Sequence, residues 1–348
     1  MRCNIVLVGA GMIAPSYGVA LRENNTGNLF GIVDIDLGKA KALKTSMRLE
    51  NTLISDNIER FLCDDRVDAF ILALPHGLHA HFAQKIIKSK KHLLIEKPVV
   101  LHGSDMKVFQ GSVDGQVIGV AHQMRHRRLL RGINALLRDG SIGRLINMHL
   151  ELACSRGEDY FSTSGWRGDW ETEGGSLVMN SGLHLIDAAL WLNHETPLQV
   201  FSHWSRHHQY MSTDDRMGGL MVFSEDVYVT INMTSESREL FRPRMRLITD
   251  KVIIEIELGF NQVLVNFTGS HDIESTLRKL EEEDIEKRRD IVCSHPAELS
   301  HLEIVDDFVD ACTGRENKLV SPEDAFKTVK IIQSLYESGA TRRIVYAD

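Results

Sequence analysis

The sequence lacks cysteine pairs, long apolar runs and an excess of basic charge, and each shortage excludes something. The five cysteines (Cys3, Cys63, Cys154, Cys293, Cys312) are an odd number with no Cys-x-x-Cys pair. That excludes a dense disulfide framework and points to thiols in a reducing compartment. No uninterrupted apolar stretch approaches the roughly 20 residues that cross a bilayer. The first residues run into a strand-like segment, without the apolar region and small-residue cleavage site of a signal peptide. A soluble, cytoplasmic protein with no membrane partner is expected. Lys and Arg number 40 against 48 Asp and Glu, a formal net charge of −8. A generic nucleic-acid binder leans the other way, so no nucleic-acid partner is expected. A G-x-S-x-G nucleophile elbow and a P-loop are also missing.

Histidine is plentiful, at sixteen residues. His76, His79 and His81 lie close together, as do His203, His207 and His208. Neither set shows a third-ligand and second-shell pattern, and cysteine support is missing, so no catalytic metal is expected.

A length of 348 residues suggests about two domains, and 43% hydrophobic with 25% charged residues suits a globular fold. The all-apolar run Ile5-Val6-Leu7-Val8 suits a strand buried on both faces of a parallel sheet. It leads into Gly9-Ala10-Gly11-Met12-Ile13-Ala14, which fits G-x-G-x-x-A. The first glycine permits the tight turn, the second lets backbone approach a pyrophosphate, and the small last residue lets helix and strand pack closely. Pro15 falls in the first turn of the following helix, where its missing N–H costs little. That helix N-terminus offers free N–H groups to phosphate. By itself the motif also fits a plain strand-to-helix turn.

A second strand, Leu29 to Val33, ends at Asp34, about where a dinucleotide fingerprint places a carboxylate for the ribose hydroxyls. A carboxylate accepts from a 2′-OH and repels a 2′-phosphate, which favours NAD over NADP. Asp36 competes for this role and otherwise reads as a cap for the helix near Lys39 to Leu43. Further strands read at Asp68 to Leu74, His92 to Ile95 and Gln116 to Ala121, with a helix from His79 to Ser89. The alternation predicts a right-handed doubly wound sheet, whose ligands bind beyond the carboxyl ends of the strands. Asp34, Pro75-His76 and Lys97 all fall at such ends and so are expected to line one cleft.

Beyond residue 121, Leu129 to Leu137 is spaced for a helix stopping near Gly140. Strand-like stretches follow at Ile146–Ala153, Val200–Trp204, Leu220–Phe223, Val227–Met233, Met245–Ile248, Val252–Glu257 and Val263–Phe267. Few helices interrupt the later ones, so an antiparallel sheet is expected. The charged segment Arg278 to Asp290 reads as a solvated helix or loop, and two helices close the chain at His301–Cys312 and Pro322–Tyr336. The nearly apolar segment Leu177 to Leu192 reads as a core helix broken by Asn180, His184 and Asp187, whose i, i+4, i+7 spacing puts them on one face. A polar file on a buried helix needs partners or a cleft.

Four pieces in order, Gly9 to Ala14, Leu74-Pro75-His76-Gly77-Leu78-His79, Lys91 to Pro98 with its Glu96-Lys97-Pro98 element, and Gly174-Gly175-Ser176 followed by Asn180 to Asp187, resemble the glucose–fructose oxidoreductase and inositol dehydrogenase (Gfo/Idh/MocA) superfamily. The resemblance spans essentially the whole chain. It implies an α/β fold: an N-terminal Rossmann domain, taken as 1–121, and a C-terminal α+β domain with a large, mostly antiparallel open sheet, taken as 122–348. It also implies a homodimer or homotetramer through that sheet.

The implied activity is NAD-dependent hydride transfer from a secondary alcohol of a sugar, inositol or nucleotide sugar. Lys97 corresponds to the family lysine that positions or polarises the substrate hydroxyl, and the peptide before Pro98 is often cis in relatives. Gly9, Gly11, Met12, Ile13, Asp34, Leu74, Pro75, His79, Glu96 and Lys97 are the expected cofactor contacts. His184 falls on the family's general base, an apt residue because its pKa lies near working pH. Many relatives carry Asp where this chain has Asn180, and an amide holds neither proton nor charge. Nucleotide-sugar 3-dehydrogenases of the superfamily look similar at this position. Asp187 either orients His184 or makes a structural salt bridge, the second being slightly favoured. Arg125, in the cationic run His122 to Arg128, and Trp166 and Arg167, in Tyr160 to Trp170, are expected substrate contacts alongside Lys97, Asn180 and His184. The rival reading is an NAD-binding sensor or regulator without turnover, which predicts loss of the lysine or the histidine; both are present.

Overall fold

The structure is a computed structural model describing residues 2–258, 263–291, 293 and 296–347. The chain divides into two compact units, Met1–Gln123 with Ile291–Phe326, and Met124–Asp290 with Lys327–Asp348. The expected division at 121/122 therefore needs correcting, because 291–326 returns to the first unit.

In the first unit, β1 (Cys3–Val8), α1 (Ala14–Glu23), β2 (Gly27–Val33), α2 (Leu37–Ser46), β3 (Leu53–Ser55), α3 (Glu59–Leu62), β4 (Ala69–Leu72), α4 (His79–Lys88), β5 (His92–Ile95) and β6 (Ile118–Val120) follow in turn. The strands pair in parallel in the order β3-β2-β1-β4-β5-β6. This is the doubly wound Rossmann order, which reverses direction between β1 and β4.

Alternate residues of each strand feed opposite cores, as the pleat requires. Ile5, Leu7, Ile32, Ile71 and Leu94 join Tyr17 of α1 on one face. Val6, Val8, Phe70, Leu72 and Leu93 join Phe61 and Ile86 on the other. The first core also takes Val305 and Phe308, the apolar stripe of a helix from the returning segment, which is why that segment belongs to this unit.

The second unit holds α5 (Arg128–Arg138), β7 (Leu145–Ser155), α6 (Glu158–Ser162), α7 (Leu183–Asn193), β8 (Gln199–Ser205), β9 (Arg216–Val222), β10 (Tyr228–Thr234), β11 (Glu236–Thr249), β12 (Ile253–Leu258), β13 (Val263–Thr268) and α8 (His271–Glu286). The helix of the returning segment is α9 (Leu302–Cys312); α10 (Pro322–Thr341) starts in the first unit and runs into the second, and β14 (Val345–Tyr346) ends the fold. The eight strands of this unit run β13-β12-β11-β7-β10-β9-β8-β14. Among the described residues, all pairings in this sheet are antiparallel except β7 with β10.

On β7, Met148, Leu150, Leu152 and Cys154 are buried while the intervening His149 and Glu151 are exposed. The exposed face carries a ladder of ion pairs, Arg244 to Glu151 at 3.2 Å and to Glu257 at 2.9 Å, and Arg246 to Glu255 at 3.2 Å. Among the described residues no helix is long and apolar enough to cross a membrane, and the five cysteines are free thiols.

Candidate functional site

The glycine turn is built as the fingerprint requires. Gly9 has φ +103°, and a Cβ there would meet the carbonyl oxygen of Ala73 at 2.2 Å, so a side chain is excluded both by backbone and by space. A Cβ on Gly11 would meet nothing within 4 Å. Protein packing therefore does not demand glycine at 11, whereas close approach of a pyrophosphate would. Ala14 is fully buried at the start of α1, Met12 is 72% exposed and Ile13 half-buried. The residues present thus fit a dinucleotide.

Asp34 follows β2 and is half-buried. Its Oδ2 accepts from the Ala10 N–H at 2.7 Å and its Oδ1 from the Asp36 N–H at 2.8 Å. Each carboxylate oxygen has a second lone pair, so hydroxyls can still be received. Asp36 caps α2, accepting from the N–H groups of Gly38 and Lys39. Asp36 therefore takes the capping role that the sequence offered it as an alternative.

Gly9 follows β1, Asp34 follows β2, Leu74 and Pro75 follow β4, and Lys97 follows β5, so the residues after four neighbouring strands meet at one carboxyl edge of this sheet. The Lys97–Pro98 peptide is cis and Lys97 is half-buried. Two expected cofactor contacts need correcting. The His79 side chain is fully buried, with Nδ1 2.8 Å from the Pro98 carbonyl and Nε2 2.9 Å from the Leu74 carbonyl, so it ties those two loops together from within. Burial holds its pKa below the usual histidine value, against the pull of both carbonyls.

Glu96 is the second correction. Its carboxylate is 6% exposed and accepts from the Tyr17 hydroxyl at 2.7 Å and from His301 Nε2 at 2.9 Å. A carboxylate only accepts, so Nε2 of His301 carries the hydrogen. The ring's Nδ1 lies 2.7 Å from the Ser300 hydroxyl. Burial opposes the charge, but His301, Lys97 and Tyr17 together hold the Glu96 carboxyl down at about 2. Its other oxygen accepts from the Lys97 N–H at 3.1 Å. Glu96 thus fixes the backbone from which Lys97 projects and ties it to α1.

In the second unit, the helix bearing Asn180 and His184 opens with a π-helical turn over Leu177–Gly182 before α7 begins. π-turns recur at functional sites. Buried Asp214 caps the turn, accepting from the Ser176 N–H at 2.9 Å, the Val178 N–H at 3.0 Å and the Tyr336 hydroxyl at 2.9 Å. Asn180 Nδ2 donates to Glu173 Oε1 at 2.8 Å and lies 3.3 Å from the Tyr160 hydroxyl. Glu173 is fully buried, and its Oε2 accepts from the Gly168 N–H at 2.6 Å and from the Ser176 hydroxyl. Burial pushes the Glu173 carboxyl up, against these hydrogen bonds. His184 is half-buried, on the first turn of α7.

The expected single polar face is split. Asp187 turns to Arg125, receiving Nε at 2.8 Å and Nη2 at 2.6 Å, and to Thr328 at 2.8 Å. The wider hydrogen-bond step of the π-turn shifts Asn180 away from the α-helical offset that the spacing assumed. Arg125 is 9% exposed, so the expected substrate contact is corrected to an internal ion pair. Its neighbour Arg127 is likewise committed, to buried Asp284 of α8, which also receives Arg288. The segment expected to be solvated therefore anchors the cationic run. Arg167 lies over the rings of Tyr160 at 4.4 Å and Trp166 at 4.8 Å. Trp166 and Arg167 are half-buried, whereas Trp170 packs on Trp204 and Tyr336.

Residues 3–114 match the oxidoreductase family with an NAD-binding Rossmann fold, and residues 130–255 match the Gfo/Idh/MocA C-terminal domain. The chain belongs to the Gfo/Idh/MocA family. Among curated members, it is 23% identical over 218 residues to the 1,5-anhydro-D-fructose reductase of Ensifer adhaerens, covering 62% of this chain and 64% of that one. The chain thus spans just under two thirds of that relative's length. The WlbA dehydrogenase from Bordetella pertussis, solved with NADH and UDP-GlcNAcA, superposes with a TM-score of 0.86 at 18% identity, covering 100% of this chain and 98% of that one. Levoglucosan dehydrogenase, solved with NADH and levoglucosan, gives 0.80 at 15% identity with both chains covered fully. At these identities the structural likeness is one of fold.

Within this Gfo/Idh/MocA chain, four residues, two in each unit, carry no sequence signal of their own. Tyr17 and His301 read as helix residues, Glu173 as one acid in an acidic stretch, and Asp214 as one of a pair. Only the tertiary fold shows that each holds a functional candidate in place.

Proposed function

We propose that this protein is an NAD-dependent dehydrogenase acting on a secondary alcohol of a sugar-like substrate. The observation that carries the reading is the environment of Lys97. It follows β5 on a backbone clamped by buried Glu96, at the same sheet edge as the open face of Gly11 and the carboxylate of Asp34. Gly9 to Ile13, Asp34, Leu74, Pro75 and Lys97 would hold the dinucleotide, and bound NAD supplies the hydride acceptor. The Asp34 charge favours NAD over NADP.

Lys97 donates to the substrate hydroxyl and lowers the cost of removing its proton. His184 receives that proton, histidine being suited to exchange it near neutral pH. Asn180 binds a substrate hydroxyl rather than sharing the proton, with its amide orientation set by Glu173. Trp166 and Arg167 offer an apolar face and a fork of donors for a sugar ring and its hydroxyls. A nucleotide sugar is the preferred substrate class, because Asn180 makes the chain resemble the nucleotide-sugar 3-dehydrogenases at this position, and the WlbA dehydrogenase was solved with NADH and UDP-GlcNAcA. The exposed ladder face of the large sheet is proposed as the surface joining two or four copies.

Absorbance at 340 nm tests this, with NAD and a panel of nucleotide sugars, free sugars and inositols. NADH formation with at least one member is expected. Tight NAD binding without turnover on any member would favour a sensor.

A further inference from the structure

We propose that His208, Asp215 and Glu236 form a binding site for one first-row divalent cation, zinc being the best match. The three come from the connection between β8 and β9, the residue preceding β9, and the first residue of β11. One ligand atom from each lies within 4.8 Å of the other two. The sequence reading grouped His207 and His208 with His203; the carboxylates that complete the set are brought in by the sheet, not by spacing.

A second observation points to a ligand. Asp215 is completely buried, and its Oδ1 has no hydrogen-bond partner among the described residues. A buried carboxylate oxygen without a donor is costly, and a cation offsets that cost.

The surroundings hold the three groups as second shells hold metal ligands. The other Asp215 oxygen, Oδ2, accepts from the N–H groups of His207 at 2.5 Å and His208 at 2.8 Å, so the carboxylate cannot rotate freely. Glu236 Oε2 is bound by the Arg216 guanidinium, which leaves Oε1, 3.5 Å from His208 Nε2. The His208 ring stacks on Tyr210 at 4.7 Å and 16°, and the Tyr210 hydroxyl donates to the Arg156 carbonyl at 3.1 Å. His207 Nε2 lies 3.8 Å from the same Glu236 Oε1.

One imidazole and two carboxylates are a borderline-hard donor set, matched to zinc, cobalt or manganese rather than to copper(I) or calcium. Two carboxylates against one guanidinium leave a net charge of −1, which a divalent cation reverses to +1. The site plays no part in the hydride transfer proposed above. It would clip the β8–β9 connection to the start of β11, next to Asp214, which caps the turn bearing Asn180.

The test is metal titration of the full, untagged chain with Co²⁺ followed by absorption in the visible, and with Zn²⁺ followed by metal analysis after dialysis. One equivalent of each is expected for the parent protein. His208→Gln should weaken binding by about tenfold or more. Because His208 is partly exposed, that variant keeps the fold intact, and Glu236→Gln serves as an independent second. Saturating Zn²⁺ should raise the melting temperature of the parent and not of His208→Gln. Failure of the parent to take up a stoichiometric equivalent overturns the proposal. Equal uptake by parent and His208→Gln overturns it too, since that binding would belong to other histidines.

Discussion

Glu173 Oε1 receives the Asn180 amide N–H at 2.8 Å from a position with no solvent exposure. Together with the Tyr160 hydroxyl this contact commits Nδ2, so the acceptor that the amide offers a substrate hydroxyl is its carbonyl oxygen. The carboxylate that the family resemblance leads one to expect at position 180 has a counterpart nearby: Glu173, seven positions upstream and one hydrogen bond further back.

Glu173→Gln tests that orientation. The new amide would keep its oxygen toward the Gly168 N–H and the Ser176 hydroxyl, leaving its NH₂ facing Asn180 Nδ2, donor against donor. Asn180 should then turn over. A cost of about 1–3 kcal/mol is expected from the mismatch, equal to roughly five- to 150-fold in kcat/KM. Glu173→Asp should recover part of it. Unchanged kinetics in Glu173→Gln would show that Asn180 is not positioned in this way.

Glu96 should make stability depend on pH at the acid end. Its folded carboxyl sits at about 2 against an ordinary 4.5. Its folded value is depressed, so its contribution is fully present above about pH 4.5 and is lost as pH falls toward 2. Glu96→Gln is expected to cost on the order of 3 kcal/mol at neutral pH, by breaking a buried charged cluster. In urea titrations, the gap between parent and variant should stay level from pH 7 to 5 and narrow below 4.5. A gap independent of pH would rule out the charge as its origin.

Arg125 separates two readings cleanly. As the partner of Asp187, its replacement by alanine should destabilise the fold by about 3–5 kcal/mol, leaving a buried carboxylate unpaired. Arg125→Met with Asp187→Leu should regain much of that. If Arg125→Ala instead unfolds like the parent and only raises KM, the arginine touches substrate, as the sequence first suggested.

Asp34→Ala should lower kcat/KM for NAD by about tenfold, through lost hydrogen bonds to the ribose. The relative loss with NADP should be smaller, because the variant no longer repels a 2′-phosphate. An unaltered NAD-to-NADP ratio would remove Asp34 from cofactor selection.

Periodicity made the strand and helix positions legible. The run from Ile5 to Val8, the glycine turn and the later strands lie where alternation or apolar runs placed them, because buried strands must be apolar and turns need glycine. What escaped were pairings across long sequence distance. Glu96 with His301, Asp214 with the turn at Ser176, and Arg127 with Asp284 each join residues whose identities say nothing of one another. Asn180, His184 and Asp187 show a different limit. Their spacing assumed an α-helix, and a π-turn held by a distant aspartate changes where each side chain points. The return of 291–326 to the first unit was hidden for the same reason: α9 reads as amphipathic, but its sequence does not name the sheet it covers.

The central claim is that Lys97 is the residue on which the reaction turns. The most direct test compares kcat/KM of the parent and Lys97→Ala on the best substrate of the panel, with NAD affinity and melting temperature measured alongside. A loss of about a hundredfold or more is expected, well beyond any loss of NAD affinity, with the melting temperature close to the parent's. Full activity in Lys97→Ala would contradict the account.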